Sequence, residues 1–252
     1  MRVGTVSPAL MVDAAEQLTR AERDQSFANL RPRDAATIIL IDRSGPELKV
    51  LMGRRHEGHK FMPGKFVFPG GRVDRQDAYV PVAGQLDPQV EARLMARLRR
   101  PSRIRARVLA VTAIREAYEE TGLLLGRKVP SGPKLPPGWE AFAEAGVEPS
   151  LDELHFIARA ITPPRRPRRF DTRFFAADAG AIAHRVEGII GPDAELVELV
   201  WVPIATAKEL DLPTITEVVL RELEDRIEAG FGHDLPVPFY RMIKRRFVRE
   251  LL

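Results

Sequence analysis

Glu116, Glu119 and Glu120 stand at i, i+3 and i+4 in the run Arg115-Glu-Ala-Tyr-Glu-Glu-Thr-Gly-Leu123. On a helix, three such carboxylates leave one face within about a turn. Their mutual repulsion asks for a cation. Oxygen ligands without histidine or cysteine suit a hard ion such as Mg²⁺ or Mn²⁺, which takes a few carboxylates and completes its shell with water and substrate phosphate. Gly122 falls where a left-handed C-terminal cap is expected. The glutamates therefore occupy the last turns, where the helix dipole disfavours negative charge and a bound metal would offset the cost. Phe68-Pro69-Gly70-Gly71 fits as the second half of the site. Pro69 fixes φ, while the two glycines allow backbone conformations closed to other residues and let a main-chain carbonyl come close to metal or phosphate. Either half alone is most often a solvated helix face or an ordinary turn; their pairing points to metal-assisted chemistry on a diphosphate.

These residues resemble the Nudix hydrolases, whose box is written G-x5-E-x7-R-E-U-x-E-E-x-G-U, with U aliphatic. The second half matches from Arg115 onward, with Ala117 at the first U. Counting from Gly71 puts Asp77 where the pattern has glutamate, and 37 residues separate Asp77 from Arg115 where the pattern has seven. Roughly thirty residues are thus inserted inside the box, and whether Asp77 pairs with Arg115, as the family's acid and arginine do, is left open. The resemblance implies that Glu116 and Glu120, assisted by Glu119, hold the metal, that Gly70 contributes a backbone carbonyl, and that Arg115 orients a glutamate. Arg115 read on its own could equally be a structural salt bridge. Glu195 and Glu198, just before Trp201, are alternatives for the general base beside a box glutamate; as strand residues they could instead simply alternate outward.

A branch that hydrolyses coenzyme A carries L-L-T-x-R-S-x3-R-x3-G-x3-F-P-G-G upstream. Here Leu51, Arg55, Gly64 and the Phe-Pro-Gly-Gly tetrad agree, with Gly53, His56 and Lys60 replacing threonine, serine and the second arginine. The likeness is closer to coenzyme A diphosphatases with a long insertion in the box, mammalian peroxisomal members and bacterial relatives, and spans roughly residues 36 to 210. It implies a Mg²⁺-dependent (or Mn²⁺-dependent) hydrolase releasing adenosine 3′,5′-bisphosphate and a phosphopantetheine. Arg54, Arg55, Lys60 and Gly71 on one side, and Arg168 and Arg169 in the basic turn around Pro167 on the other, are the expected substrate contacts. Alternatives are ADP-ribose or a dinucleotide, a capped RNA end contacted by the arginine-rich insertion, and a Nudix-fold sensor that binds nucleotide without turnover.

The elements that must position these groups follow from pattern. Residues 1 to 34 read as an N-terminal arm with an amphipathic stretch near Ala14 to Arg20, packed on the body or on a second copy in a homodimer. Residues 35 to 252 read as one Nudix domain with an insertion at about 78–107. Strands are expected at Ala36 to Asp42, Lys49 to Gly53, the Val67-Phe68 end, His155 to Ala160, Phe170 to Ala177 and Glu195 to Val202. Helices are expected at Pro88 to Arg100, from the Ser102 cap to the glutamates with Leu109, Ala113 and Ala117 buried, and at Ala205 to Leu210, Thr216 to Ala229 and Phe239 to Leu251. Proline-rich residues 126 to 150 read as a surface excursion with a short helix at Trp139 to Ala145. The result is a three-layer α/β/α sandwich with a mixed sheet, a helical insertion and C-terminal helices.

Net charge is +4, yet Arg93, Arg97, Arg99, Arg100, Arg103, Arg105 and Arg107 crowd the insertion against Asp87 and Glu91. That local excess would draw a phosphate-rich ligand over about 10 Å; each arginine singly is as easily a solvated or contact residue. Zero cysteines exclude disulfides and thiolate chemistry. Five histidines without ligand spacing suggest no zinc site. No apolar run could span a membrane, so a soluble cytoplasmic protein is expected.

Overall fold

The computed structural model describes residues 8–58 and 62–252. Helix α1 (Pro8–Arg20) precedes strands β1 (Arg33–Asp42), β2 (Lys49–Arg55), β3 (Phe66–Val67) and β4 (Gly70–Arg72). A 3-10 turn (Arg75–Tyr79) leads through α2 (Pro88–Met95) to α3 (Arg103–Thr121), then β5 (Leu123–Lys128), α4 (Glu140–Glu144) and β6 (Val147–Pro149). Strands β7 (His155–Ile161), β8 (Phe170–Asp178), β9 (Ile182–Arg185) and β10 (Leu196–Pro203) follow. Helix α5 (Thr214–Glu228) and the hairpin β11 (Pro238–Ile243) and β12 (Arg246–Leu251) end the chain.

The main sheet is mixed, in the order β10-β2-β1-β8-β7-β11-β12, with β3 on β2 and β4 on β1. β1 runs parallel to β8 and antiparallel to β2 and β4. Side chains alternate along a strand. Ile38 and Leu40 therefore enter a core with α3, α2 and α4, while Ile39 and Ile41 enter a second core with α1 and α5. Helices thus cover both faces. No helix among the described residues is long and apolar enough to cross a membrane.

The site's helix is built as its sequence demands. The Ser102 hydroxyl caps the start by accepting from Arg105 N–H, and Gly122 ends it at φ 76°. Leu109, Ala113 and Ala117 are fully buried, but so is most of the helix between Ala106 and Ala117, because the sheet lies on one side and the insertion on the other.

The remaining expectations are corrected in four places. Phe239 to Leu251 is not a helix but the hairpin β11/β12. Its turn residues Lys244 and Arg245 have φ 47° and 69°. That is the positive-φ pair a two-residue hairpin needs, without the Asn-Gly that usually announces it. Ala205 to Leu210 holds only a 3-10 turn at Ala207–Glu209. The insertion helix stops at Met95, since Ala96 is extended and Arg97 left-handed (φ 55°). Residues 126 to 150 are not a surface excursion: Trp139 and Phe142 are buried in the α3 core, and β5 and β6 join β9 in a second, three-stranded sheet.

Candidate active site

Across the inserted residues, the two ends of the acidic motif meet. Asp77 is fully buried and accepts from Arg115 Nε (2.8 Å) and Nη2 (3.2 Å), from the Thr112 hydroxyl (2.7 Å) and from Asp74 N–H (3.0 Å). Arg115 also donates through Nη1 to Glu116 (2.9 Å) and Glu119 (2.7 Å), and through Nη2 to the Arg72 carbonyl (2.9 Å). One guanidinium therefore ties the loop after Gly71 to the helix and fixes two of its glutamates. Burial opposes its charge, but Asp77, Glu116 and Glu119 outweigh that and raise its pKa.

The three glutamates are not equivalent. Glu116 and Glu120 are buried, whereas the Glu119 side chain is 45% exposed. Burial pushes the Glu116 carboxyl up to about 7; Arg115 opposes this, and Glu119 and Glu195 add to it. Burial raises Glu120 well above its usual range, reinforced by repulsion from Glu195 and Glu116 and opposed by the Gly70 N–H and Arg55. Crowded, desolvated carboxylates of this kind lack positive charge.

The glycines matter for proximity. Neither Gly70 nor Gly71 adopts positive φ, so freedom of backbone conformation is not their reason here. A Cβ on Gly71 would lie 2.5 Å from a Glu116 carboxylate oxygen, and one on Gly70 would lie 2.7 Å from the Ala36 carbonyl. β4 pairs Thr37 with Gly70, and Gly70 N–H donates to Glu120 at 3.2 Å. The strand backbone thus runs directly over the buried carboxylates.

Glu195 joins them from β10's start. It pairs with Arg55 at 3.0 Å (Glu195 Oε1 to Arg55 Nη1) and repels both buried glutamates. Sequence offers Glu195 and Glu198 beside a box glutamate; the antiparallel pairing of β10 with β2, Leu196 opposite Arg55, is what brings Glu195 next to Arg55. Glu198 instead pairs with Arg54 at 2.8 Å.

The other expected substrate contacts disperse. Lys60 lies outside the described residues. Arg169 bonds the Thr162 and Leu30 carbonyls and Asn29, so it fastens the segment before β1 to the β7–β8 turn. Arg168 is exposed beside it. Four of the seven insertion arginines are engaged within the protein: Arg105, together with Arg173 of β8, holds Asp34, Arg103 pairs with Glu91, Arg107 bonds the Ala78 and Val80 carbonyls, and Arg93 bonds those of His233 and Asp234.

The donor set suits a hard divalent ion: oxygen ligands only, two of them buried with raised pKa. Among the described residues no three acidic or imidazole side chains already converge as a cage. Glu116 is held by Arg115 and Glu120 by Gly70 N–H, so a bound ion would draw on these two carboxylates, with Glu119 beside them.

No protein-family model matches the chain. A Caenorhabditis elegans protein provisionally named nudix hydrolase 7 is 29% identical over 163 residues, which are 57% of this chain and 43% of that protein. The chain therefore spans less than half of that relative's length. The crystal structure of a Nudix hydrolase from Alicyclobacillus acidocaldarius superposes with a TM-score of 0.53 at 30% identity, over 76% of this chain and 90% of the other.

Proposed function

The chain belongs to the Nudix hydrolase family, and on that footing we propose that it hydrolyses the diphosphate bond of nucleoside diphosphate derivatives, with coenzyme A or an acyl-coenzyme A as substrate. The observation that carries the reading is the Arg115 bridge. It closes the motif over the insertion and leaves buried Glu116 and Glu120 beneath the Gly70-Gly71 backbone.

In this reading Glu116 and Glu120 would hold the divalent ion, Mg²⁺ or Mn²⁺, with Glu119 and the Gly70 carbonyl assisting. The ion, when bound, supplies charge neutralisation at the diphosphate and acidifies a water. Arg115 fixes Glu116 and Glu119 in orientation, so the carboxylates need little reorganisation. Glu195, near enough to Glu116 and Glu120 to repel both, is the carboxylate we assign to take the proton from the attacking water. Arg55 orients it through their ion pair. The upstream Leu51-x3-Arg55 and Gly64-x3-Phe-Pro-Gly-Gly pattern supports coenzyme A over other nucleotides. An RNA-cap substrate loses support because Arg93, Arg103, Arg105 and Arg107 are engaged within the protein.

The test is product analysis by mass after incubating the protein with Mg²⁺ and, separately, coenzyme A, ADP-ribose, NADH and a dinucleoside polyphosphate. Selective release of adenosine 3′,5′-bisphosphate is expected from coenzyme A. Cleavage of another ligand in its place would overturn the substrate, and cleavage of none would overturn the hydrolase.

A further inference from the structure

A cavity of about 640 Å³ opens beside the site, lined by Arg33, Asp34, Arg72, Val73, Asp74, Arg75 and Gln76. That volume is in the range of small-ligand sites. We propose that it is a subsite for a phosphomonoester group carried by the same substrate whose diphosphate is cleaved at Glu116 and Glu120, an inference that rests on the function proposed above.

Charge is the first argument. Arg33, Arg72 and Arg75 are exposed, and among the described residues their side chains make no hydrogen bond or ion pair. This sets them apart from the insertion's arginines, most of which are spent on carbonyls and carboxylates. The two aspartates in the lining are already engaged. Asp34 accepts from Arg105 twice at 2.7 Å and from Arg173 at 2.8 Å; although burial would raise its carboxyl, those guanidiniums hold it below the usual range. Asp74 accepts from Gln76 N–H at 2.9 Å as the cap of the 3-10 turn. Three uncommitted planar forks around one cavity match the oxygens of a phosphate dianion.

Position is the second. Arg72 directly follows Gly71, which lies against Glu116, and its carbonyl accepts from Arg115. Asp77, on the same bridge, holds Asp74 N–H, and Val73 N–H donates to the Asp34 carbonyl at 3.0 Å. The cavity's floor is therefore fixed by the same contacts that fix the carboxylates, so a phosphate there keeps a set distance from the scissile group.

Tyr79 supplies a third element. It is 79% exposed and lies three residues beyond Gln76 on the 3-10 turn, where i and i+3 side chains eclipse. A nucleobase attached to the bound phosphate can stack on such a ring, which a free phosphate cannot do.

The experiment is calorimetric titration of the full chain, without divalent ion, with adenosine 3′,5′-bisphosphate, adenosine 5′-monophosphate and inorganic phosphate. It compares wild type, the Arg33→Gln/Arg75→Gln double variant and Tyr79→Ala, with melting curves confirming folding. The bisphosphate should bind about tenfold or more tighter than the monophosphate, and the double variant should lose that advantage. Tyr79→Ala should weaken both nucleotides about fivefold or more while leaving inorganic phosphate unchanged. Equal affinity of bisphosphate and monophosphate, or a preference that survives in the double variant, would overturn the subsite. Inorganic phosphate binding as tightly as the bisphosphate would overturn its assignment to substrate. Because no turnover is involved, absent cleavage with this preference intact counts against the hydrolase reading alone; cleavage without the preference counts against the subsite alone.

Discussion

Replacing Asp77 with asparagine should cost far more than a surface change, because the bridge it makes is wholly enclosed. Asp77 has no exposed surface, and its two oxygens receive four hydrogen bonds, two from Arg115. Asparagine keeps the shape but turns one acceptor into a donor that faces the guanidinium or the Thr112 hydroxyl. Removing one partner of a buried ion pair costs about 3–5 kcal/mol. Arg115 would retain Glu116 and Glu119, which places the expected loss near the lower end, about 3 kcal/mol. At about 2–4 °C per kcal/mol for a chain of this size, the calorimetric midpoint should fall by roughly 6–12 °C. Arg115→Met should cost a similar amount, since it strands Asp77. In the double variant both ends of the same bridge are gone, so its loss should be smaller than the two single losses added, by at least about 1.5 kcal/mol. Additivity to within about 0.5 kcal/mol would refute the claim that these two residues brace the loop against the helix.

Three further outcomes follow from the same geometry. Gly71→Ala should cut diphosphate hydrolysis by about tenfold or more and cost about 1–3 kcal/mol, because its Cβ would press on Glu116; Gly191→Ala, where a Cβ meets open space, is the control, and equal effects in both would contradict the packing argument. Folding raises the Glu116 carboxyl from 4.5 to about 7, so the stability its proton gives is complete below about pH 4.5 and is lost as pH rises through 7. Mg²⁺ replaces that proton's charge, and its stabilising shift by differential scanning fluorimetry should be larger at pH 8.5 than at pH 6; the reverse order would refute the assignment. Replacing Lys244-Arg245 with Asn-Gly should raise the melting point by a few degrees without changing turnover, each relieved left-handed residue contributing about 1 kcal/mol; unchanged or lower stability would show that the turn is not strained.

Where the chemistry was concentrated, the sequence could be read closely. The i, i+3, i+4 glutamates, the Ser102 and Gly122 caps and the apolar run of β1 each carry a local signal strong enough to survive tertiary context. The pairing of Asp77 with Arg115 was not decidable from spacing, because 37 intervening residues say nothing about where the chain returns. Only packing of the insertion against α3 closes it. Glu195 and Glu198 could be named as candidates but not told apart, because which of them approaches the buried glutamates depends on the register of β10 on β2. The C-terminal hairpin failed differently. Phe239 and Tyr240 allow either period, and the left-handed turn falls on lysine and arginine, residues that give no turn signal. The arginines misled by composition alone. Clusters at 93–107 and 165–169 suggested phosphate binding, yet most of those engaged are tied to main-chain carbonyls or aspartates, while the three left uncommitted around a cavity are spread over β1, β4 and the 3-10 turn.

The most direct test of the central claim is the turnover of coenzyme A at saturating Mg²⁺ by wild type and Glu120→Gln, with melting curves recorded alongside. Glu120 is buried, burial raises its carboxyl above the usual range, and glutamine keeps the shape of the neutral acid without its charge. The expected result is a fall in kcat of about a hundredfold or more, with a melting point at pH 8 and without metal that is equal to or above wild type. Turnover within tenfold of wild type, in a variant that melts normally, would mean that these carboxylates are not where the diphosphate is cleaved.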